Sequence, residues 1–258
     1  MSYWQDRMAK SQTKISEKSV KQIEKQMVKY YGAALKRTIA NFESVYNKVL
    51  LQAAEGKQIT PALLYQMDSY WHLQAQLREE LEKLGNRQIA LLSKQFEANF
   101  FEIYYSIEVE GAKAFSTLDT ATVKQLINEI WVADNKSWSQ RIWSNTEKLA
   151  ETLNEELINI VATGDKSTVL KNKLQERFGA SYNQADSLVK TEIAHIQTQA
   201  AKKRYEDYGI SEIQIWADED ERRCDVCGEL HEKKYPVGAA IPIPAHPRCR
   251  CCIIPVVE

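Results

Sequence analysis

Apolar positions recur at threes and fours along most of this chain, the repeat of helices that bury one face. From Ile15 to Ala54, Val20, Ile23, Met27, Tyr30, Tyr31, Leu35, Phe42, Val45 and Val49 keep that spacing without a proline, which predicts one long helix with Gly32 as its candidate break. Thr60-Pro61 reads as a helix start, a capping hydroxyl followed by a residue whose missing N–H costs nothing at the first position. The helix it opens is expected to run to about Leu84 and stop at Gly85-Asn86, residues that tolerate a left-handed end. Ile89, Leu92, Phe96, Phe100, Tyr104 and Ile107 then predict a helix over Arg87 to Glu110. A turn at Gly111 and Ser116 to Thr120 follows, with Asp119 or Thr120 capping a helix through Ile130.

Further on, helices are predicted over about Ser139 to Ala162, broken by Thr163-Gly164-Asp165, over Ser167 to Phe178 before Gly179, and over Ser181 to Tyr208, closed by Gly209. The alphabet then changes. Glu212-Ile213-Gln214-Ile215-Trp216 alternates polar and apolar with β-branched residues, a strand signature. Five of the six prolines and all five cysteines lie beyond this point. The expected fold class is mainly α: a long-helix N-terminal and central body, with a small C-terminal α+β unit at about 210–258 built around the cysteines.

A length of 258 residues suffices for one sizeable core plus an appendage, or for two modest domains. No apolar run approaches the roughly 18 to 20 residues that span a bilayer, and no basic start precedes an apolar segment. The expectation is an unexported protein without a membrane segment. Net charge is −1, so only local asymmetry argues for a charged partner. Lys10, Lys14, Lys18, Lys21, Lys25 and Lys29 supply one, because steps of three and four line them along one side of the first helix. A solvated helix face explains such a stripe; contact with DNA phosphates or an acidic protein surface is the functional alternative. Trp131, Trp138 and Trp143 read as core or interface aromatics, since no basic residues interleave closely with them.

Cys224-Asp-Val-Cys227-Gly places two thiols at the spacing of a metal knuckle, and His246-Pro-Arg-Cys249 repeats the two-residue gap nineteen positions on. Thiols clustered in an unexported protein point to metal rather than to disulfides. Cys224, Cys227, His246 and Cys249 together are four ligands for one tetrahedral zinc. Cys251 is an alternative to Cys249, whereas Cys252 is expected to face a β core, because strand neighbours point opposite ways. Four protein ligands close the shell, so the zinc is expected to be structural and no catalytic residue is assigned. The rival is a metal-dependent nuclease or other nucleic-acid enzyme using His231 and the acidic turn of Asp218, Asp220 and Glu221. That turn reads more simply as solvated. Thr191, Glu192 and His195 form a second constellation, with Thr191 expected to pack and Glu192 to pair with a neighbouring cation.

A helix ending near Gly164-Asp165-Lys166-Ser167, a helix bearing Val189-Lys190-Thr191-Glu192, then Tyr208-Gly209, Ile215-Trp216, the acidic turn, Cys224-x-x-Cys227 and Pro244-Ala-His246-Pro-x-Cys249-Arg-Cys251 follow in order between Trp138 and Pro255. In that order and spacing they resemble the phage head morphogenesis family, the minor head (minor capsid) proteins similar to the Mu F protein. The resemblance implies a head-morphogenesis-like domain over 138–258 behind a helical N-terminal body over 1–137. It also implies a non-enzymatic virion component of a tailed bacteriophage, held inside the capsid near the portal vertex and found in host cytoplasm during assembly. Portal protein and capsid or scaffolding protein are the implied partners, and some relatives bind the packaged or ejected DNA. The family's motif residues fall on Thr191, Glu192, Cys224, Cys227, His246, Pro247, Cys249 and Cys251. After Leu230 the family often has Asp-Gly, where this chain has His231-Glu232.

Overall fold

The computed structural model describes residues 3–109, 118–217, 221 and 223–256. Helices dominate: α1 (Tyr3–Ala54), α2 (Pro61–Tyr65), α3 (Asp68–Ser106), α4 (Thr120–Ile127), α5 (Trp138–Thr163) and α6 (Ser167–Asp207) precede β1 (Glu212–Trp216), α7 (Asp225–Leu230), β2 (Lys234–Pro236) and β3 (Cys252–Pro255). The mainly α class with a small C-terminal sheet and a cysteine cluster is the observed architecture. Among the described residues no helix is long and apolar enough to cross a membrane.

Two expected helix breaks, at Gly85-Asn86 and Gly179, are absent, and the long first helix is unbroken at its candidate break, Gly32. α1 passes through Gly32, α3 passes through Gly85-Asn86, and α6 passes through Gly179. Gly85 has a different job from ending a helix. A Cβ built on it would lie 2.5 Å from Cζ3 of Trp143, so the missing side chain lets the α5 indole sit against the α3 backbone. Thr60 precedes Pro61 in extended conformation as expected, but its side chain makes no cap and α2 lasts five residues. Asp119 does cap, accepting Thr122 N–H at 2.9 Å. The turn expected at Gly111 and Ser116 lies outside the described residues. Gly164 and Gly209, with φ of 69° and 72°, adopt the left-handed turns that close α5 and α6.

The chain divides into two compact units, each gathered from separated stretches. One takes its described residues from Met1–Glu24, Leu91–Trp138 and Asp186–Glu258, the other from Lys25–Ala90 and Ser139–Ala185. These units do not follow the linear halves 1–137 and 138–258.

In the second unit, Tyr31 is buried with its hydroxyl among Gln88 and Ser181, and burial pushes its pKa up to about 12. Glu156, also buried, accepts two hydrogen bonds from the Arg177 guanidinium.

In the first unit, α1 buries Ala9, Gln12, Ser16, Ser19 and Ile23, a three-four spacing filled largely by polar side chains. Each polar member makes a side-chain hydrogen bond. Gln12 Nε2 donates to Ile253 O at 3.1 Å, Ser16 Oγ to Gln197 Oε1 at 2.5 Å, and Asn99 Nδ2 to Ser19 Oγ at 3.1 Å. The sheet has the order β2-β1-β3 with both pairings antiparallel, Ile215 opposite Ile253 and Ile213 opposite Tyr235. Trp216, Cys252 and Ile254 pack with Ala9 of α1, so Cys252 faces a core. Tyr205 of α6 is fully buried and donates to Ile253 O at 3.1 Å, fixing the sheet to the helix.

Candidate metal centre

Two short loops and one turn of helix bring the knuckle together. Cys224 is the N-cap of α7, its sulfur accepting the Cys227 N–H at 3.5 Å, so the two-residue gap places both sulfurs at the start of one helical turn. His246 and Cys249 come from the loop before β3, closed by a Cys249 N–H to His246 O bond of 3.2 Å. Arg248 between them has a φ of 62°.

The ligand atoms of Cys224, Cys227 and His246 lie within 4.8 Å of one another, and so do those of Cys227, Cys249 and Cys251. Cys227 belongs to both groups. His246 Nε2 lies 3.3 Å from Cys224 Sγ and 3.1 Å from Cys227 Sγ, and the Cys227 and Cys249 sulfurs are 3.8 Å apart. A tetrahedral ion with bonds of about 2.3 Å to sulfur and about 2.0 Å to nitrogen sets S···S edges near 3.8 Å and N···S edges near 3.6 Å. The Cys227–Cys249 edge matches that shape, and the two edges from His246 are slightly tight. The four sequence-selected residues, Cys224, Cys227, His246 and Cys249, thus fall in two groups of three that share Cys227, and Cys251 joins Cys227 and Cys249 in the second.

The imidazole is oriented for ligation. Its Nδ1 is 2.8 Å from the Pro247 carbonyl, which can only accept, so Nδ1 carries a hydrogen and Nε2 faces the Cys224 and Cys227 sulfurs. The thiols share protons unequally: burial pushes Cys227 up to about 12, while the bond from the Cys251 thiol holds Cys249 near 5 and raises Cys251 itself. A bound cation takes the place of those protons. The cavity at this point is about 40 Å³, lined by Cys224, Cys227, His246 and Cys251 with Arg223, Arg248 and Arg250. An ion fits there; an organic substrate does not.

The other candidates fall elsewhere. His231 Nδ1 accepts the Ala217 N–H at 3.1 Å, and its ring stands edge-on to Trp216 at 4.8 Å. It thus terminates β1. Glu232 takes a left-handed φ of 60° and returns its N–H to Ile215 O at 2.8 Å, so a tight turn forms without glycine. Of the acidic turn, Glu221 is exposed, while Asp218 and Asp220 lie outside the described residues.

The three tryptophans do not form one cluster. Trp138 packs edge-on against Phe96, Trp143 against Gly85, and Trp131 lies flat on His195. Thr191 does more than pack: its Oγ accepts the Arg248 N–H at 3.0 Å, inside the ligand loop. Glu192, 2% exposed, accepts the Trp131 indole N–H at 3.1 Å. No local sequence signal pairs either residue with a partner so far along the chain. In the lysine stripe, Lys10 is paired with Asp6 and Lys18 with Glu102, while Lys14, Lys21, Lys25 and Lys29 are exposed.

No family model matches the chain, and neither a curated protein nor a solved structure matches it.

Proposed function

We propose that this chain is a minor head protein of a tailed bacteriophage, a non-enzymatic virion component whose C-terminal sheet is locked by a structural zinc ion. The observation that carries this reading is a convergence. Cys224, Cys227, His246, Cys249 and Cys251, met one after another in the order that resembles the head morphogenesis family, gather in two donor groups joined at Cys227 within one compact unit, and Thr191 is bonded to the loop that carries His246 and Cys249.

Zinc is the metal because one imidazole and three thiolates form a soft, tetrahedral donor set of the kind structural zinc sites use. The sheet of three short strands leans on α1 and α6, while the loops that carry the donors have little regular structure of their own, and a metal supplies folding energy to such a segment. Four protein ligands leave no open position for an activated water, and the His231 imidazole is committed to the Ala217 N–H. Both points support a role without turnover. The helical body then serves to dock on the portal, capsid or scaffolding protein inside the capsid, and the lysine stripe of α1 meets DNA or an acidic surface.

Mass spectrometry of purified particles, with metal analysis of the purified protein, tests the two halves. Peptides of this chain in DNA-filled heads, with about one zinc per chain, are expected. Absence from particles, with normal yields of infectious phage when the gene is deleted, would overturn the virion role.

A further inference from the structure

The loop that carries two of the donors is held from outside by a helix. Arg248 lies between His246 and Cys249 in the left-handed region, which a residue with a Cβ adopts only where its surroundings enforce it. Its N–H donates to Thr191 Oγ at 3.0 Å, and the Thr191 hydroxyl donates in turn to Ser187 O at 2.7 Å. The hydroxyl is thus used in both senses: it accepts from the loop and is aimed by a carbonyl one turn back in α6. The Arg248 side chain is fixed to the same helix. Its Nη2 is 2.9 Å from Asp186 Oδ2, and Asp186 is itself buried and paired with Lys190, which reaches Glu24 of α1 at 2.8 Å.

Backbone and side chain of one residue are therefore clamped to α6, flanked in sequence by His246 two positions before and Cys249 next. A metal-ligand loop without such a clamp must be ordered by the ion itself, at the expense of affinity; groups that pre-order ligands are worth about 10 to 100-fold in metal binding. We propose that Thr191 is a positioning residue for the metal centre: its hydroxyl holds the His246 to Cys249 loop in ligating geometry before the ion arrives. This rests on the metal reading above and adds to it a determinant 57 positions away from the loop it acts on.

Competition of the full-length protein against a chromophoric chelator for zinc tests the role, using wild type, Thr191→Val, Thr191→Ala and Thr191→Ser. Valine keeps the shape and loses the hydroxyl; alanine also loses it and favours the helix. Both are expected to bind one zinc with affinity lowered 10 to 100-fold, while serine, which keeps the hydroxyl, stays within about threefold of wild type. Circular dichroism of the metal-free proteins should show equal helix content, separating positioning from a folding defect. Zinc bound equally tightly by wild type and both hydroxyl-free variants would overturn the positioning role and leave the metal centre standing. A wild-type protein that binds no zinc would overturn the metal reading, and this inference with it.

Discussion

The indole of Trp131 lies parallel to the imidazole of His195, ring centroids 4.3 Å apart and planes 8° from coplanar. The same indole donates its N–H to Glu192, so one tryptophan engages two residues of α6. His195 is 4% exposed, and its Nε2 has no hydrogen-bond partner among the described residues. Burial holds its pKa down at about 4. The imidazole is therefore neutral in the folded protein at pH 7, whereas the unfolded chain takes up a proton near pH 6.5.

That difference makes acid destabilising. Above pH 6.5 neither state binds the proton and stability is complete; between 6.5 and 4 the unfolded state binds it and stability falls. The loss at pH 4 is on the order of 3 kcal/mol. His195→Phe, which can also stack on Trp131, should remove this component. Urea unfolding of both proteins at several pH values checks it: equal pH dependence in the two would rule out His195 as the source.

Gly85 and Gly179 should respond to the same substitution with opposite sign. Alanine at Gly179 meets no atom within 4 Å and removes backbone freedom from a helix interior, so Gly179→Ala is expected to stabilise by about 0.5 to 1 kcal/mol. Alanine at Gly85 drives a Cβ into the Trp143 ring, so Gly85→Ala is expected to destabilise by about 1 to 3 kcal/mol. Denaturant midpoints decide between this and simple helix propensity, under which both variants would gain.

These glycines also show what was legible along the chain. Periodicity located the helices, and the thiol spacing located the metal cluster, because both signals are local. Breaks were misjudged at Gly85 and Gly179, since a glycine that ends a helix and one inside it, whether open to space or against a neighbouring ring, look alike in sequence. The buried stripe of Gln12, Ser16 and Ser19 was hidden for a related reason. Its members are polar, and their partners, Ile253, Gln197 and Asn99, are 80 or more positions away. The Thr191 to Arg248 bond was unreadable on the same ground, although the threonine itself stood out.

Metal removal should act first on the C-terminal sheet. With the ion chelated, amides of 211–256 are expected to exchange faster while the buried turns of α3 and α6 stay protected, and Cys227→Ser should do the same without chelator. Cys227 is chosen because it belongs to both donor groups. At free zinc about 100-fold above the dissociation constant, binding adds about 2.7 kcal/mol to stability. Exchange in 211–256 that is indifferent to chelator would show that the sheet stands without metal.

DNA binding, if α1 supplies it, should depend on lysines in an additive and salt-sensitive way. Lys14 and Lys21 are exposed in the first compact unit, and Lys10 and Lys18 are exposed partners of Asp6 and Glu102. Surface pairs of this kind are worth about 1 kcal/mol or less, so all four ammonium groups are available to phosphates. Each phosphate contact contributes about 0.9 to the slope of log K against log salt on duplex DNA. Lys14→Gln with Lys21→Gln is therefore expected to lower that slope by about 1.8 and weaken binding alike on unrelated sequences. Anisotropy titrations from about 50 to 200 mM salt measure both quantities. An unchanged slope would remove DNA from this face of α1 and leave an acidic protein surface as its partner.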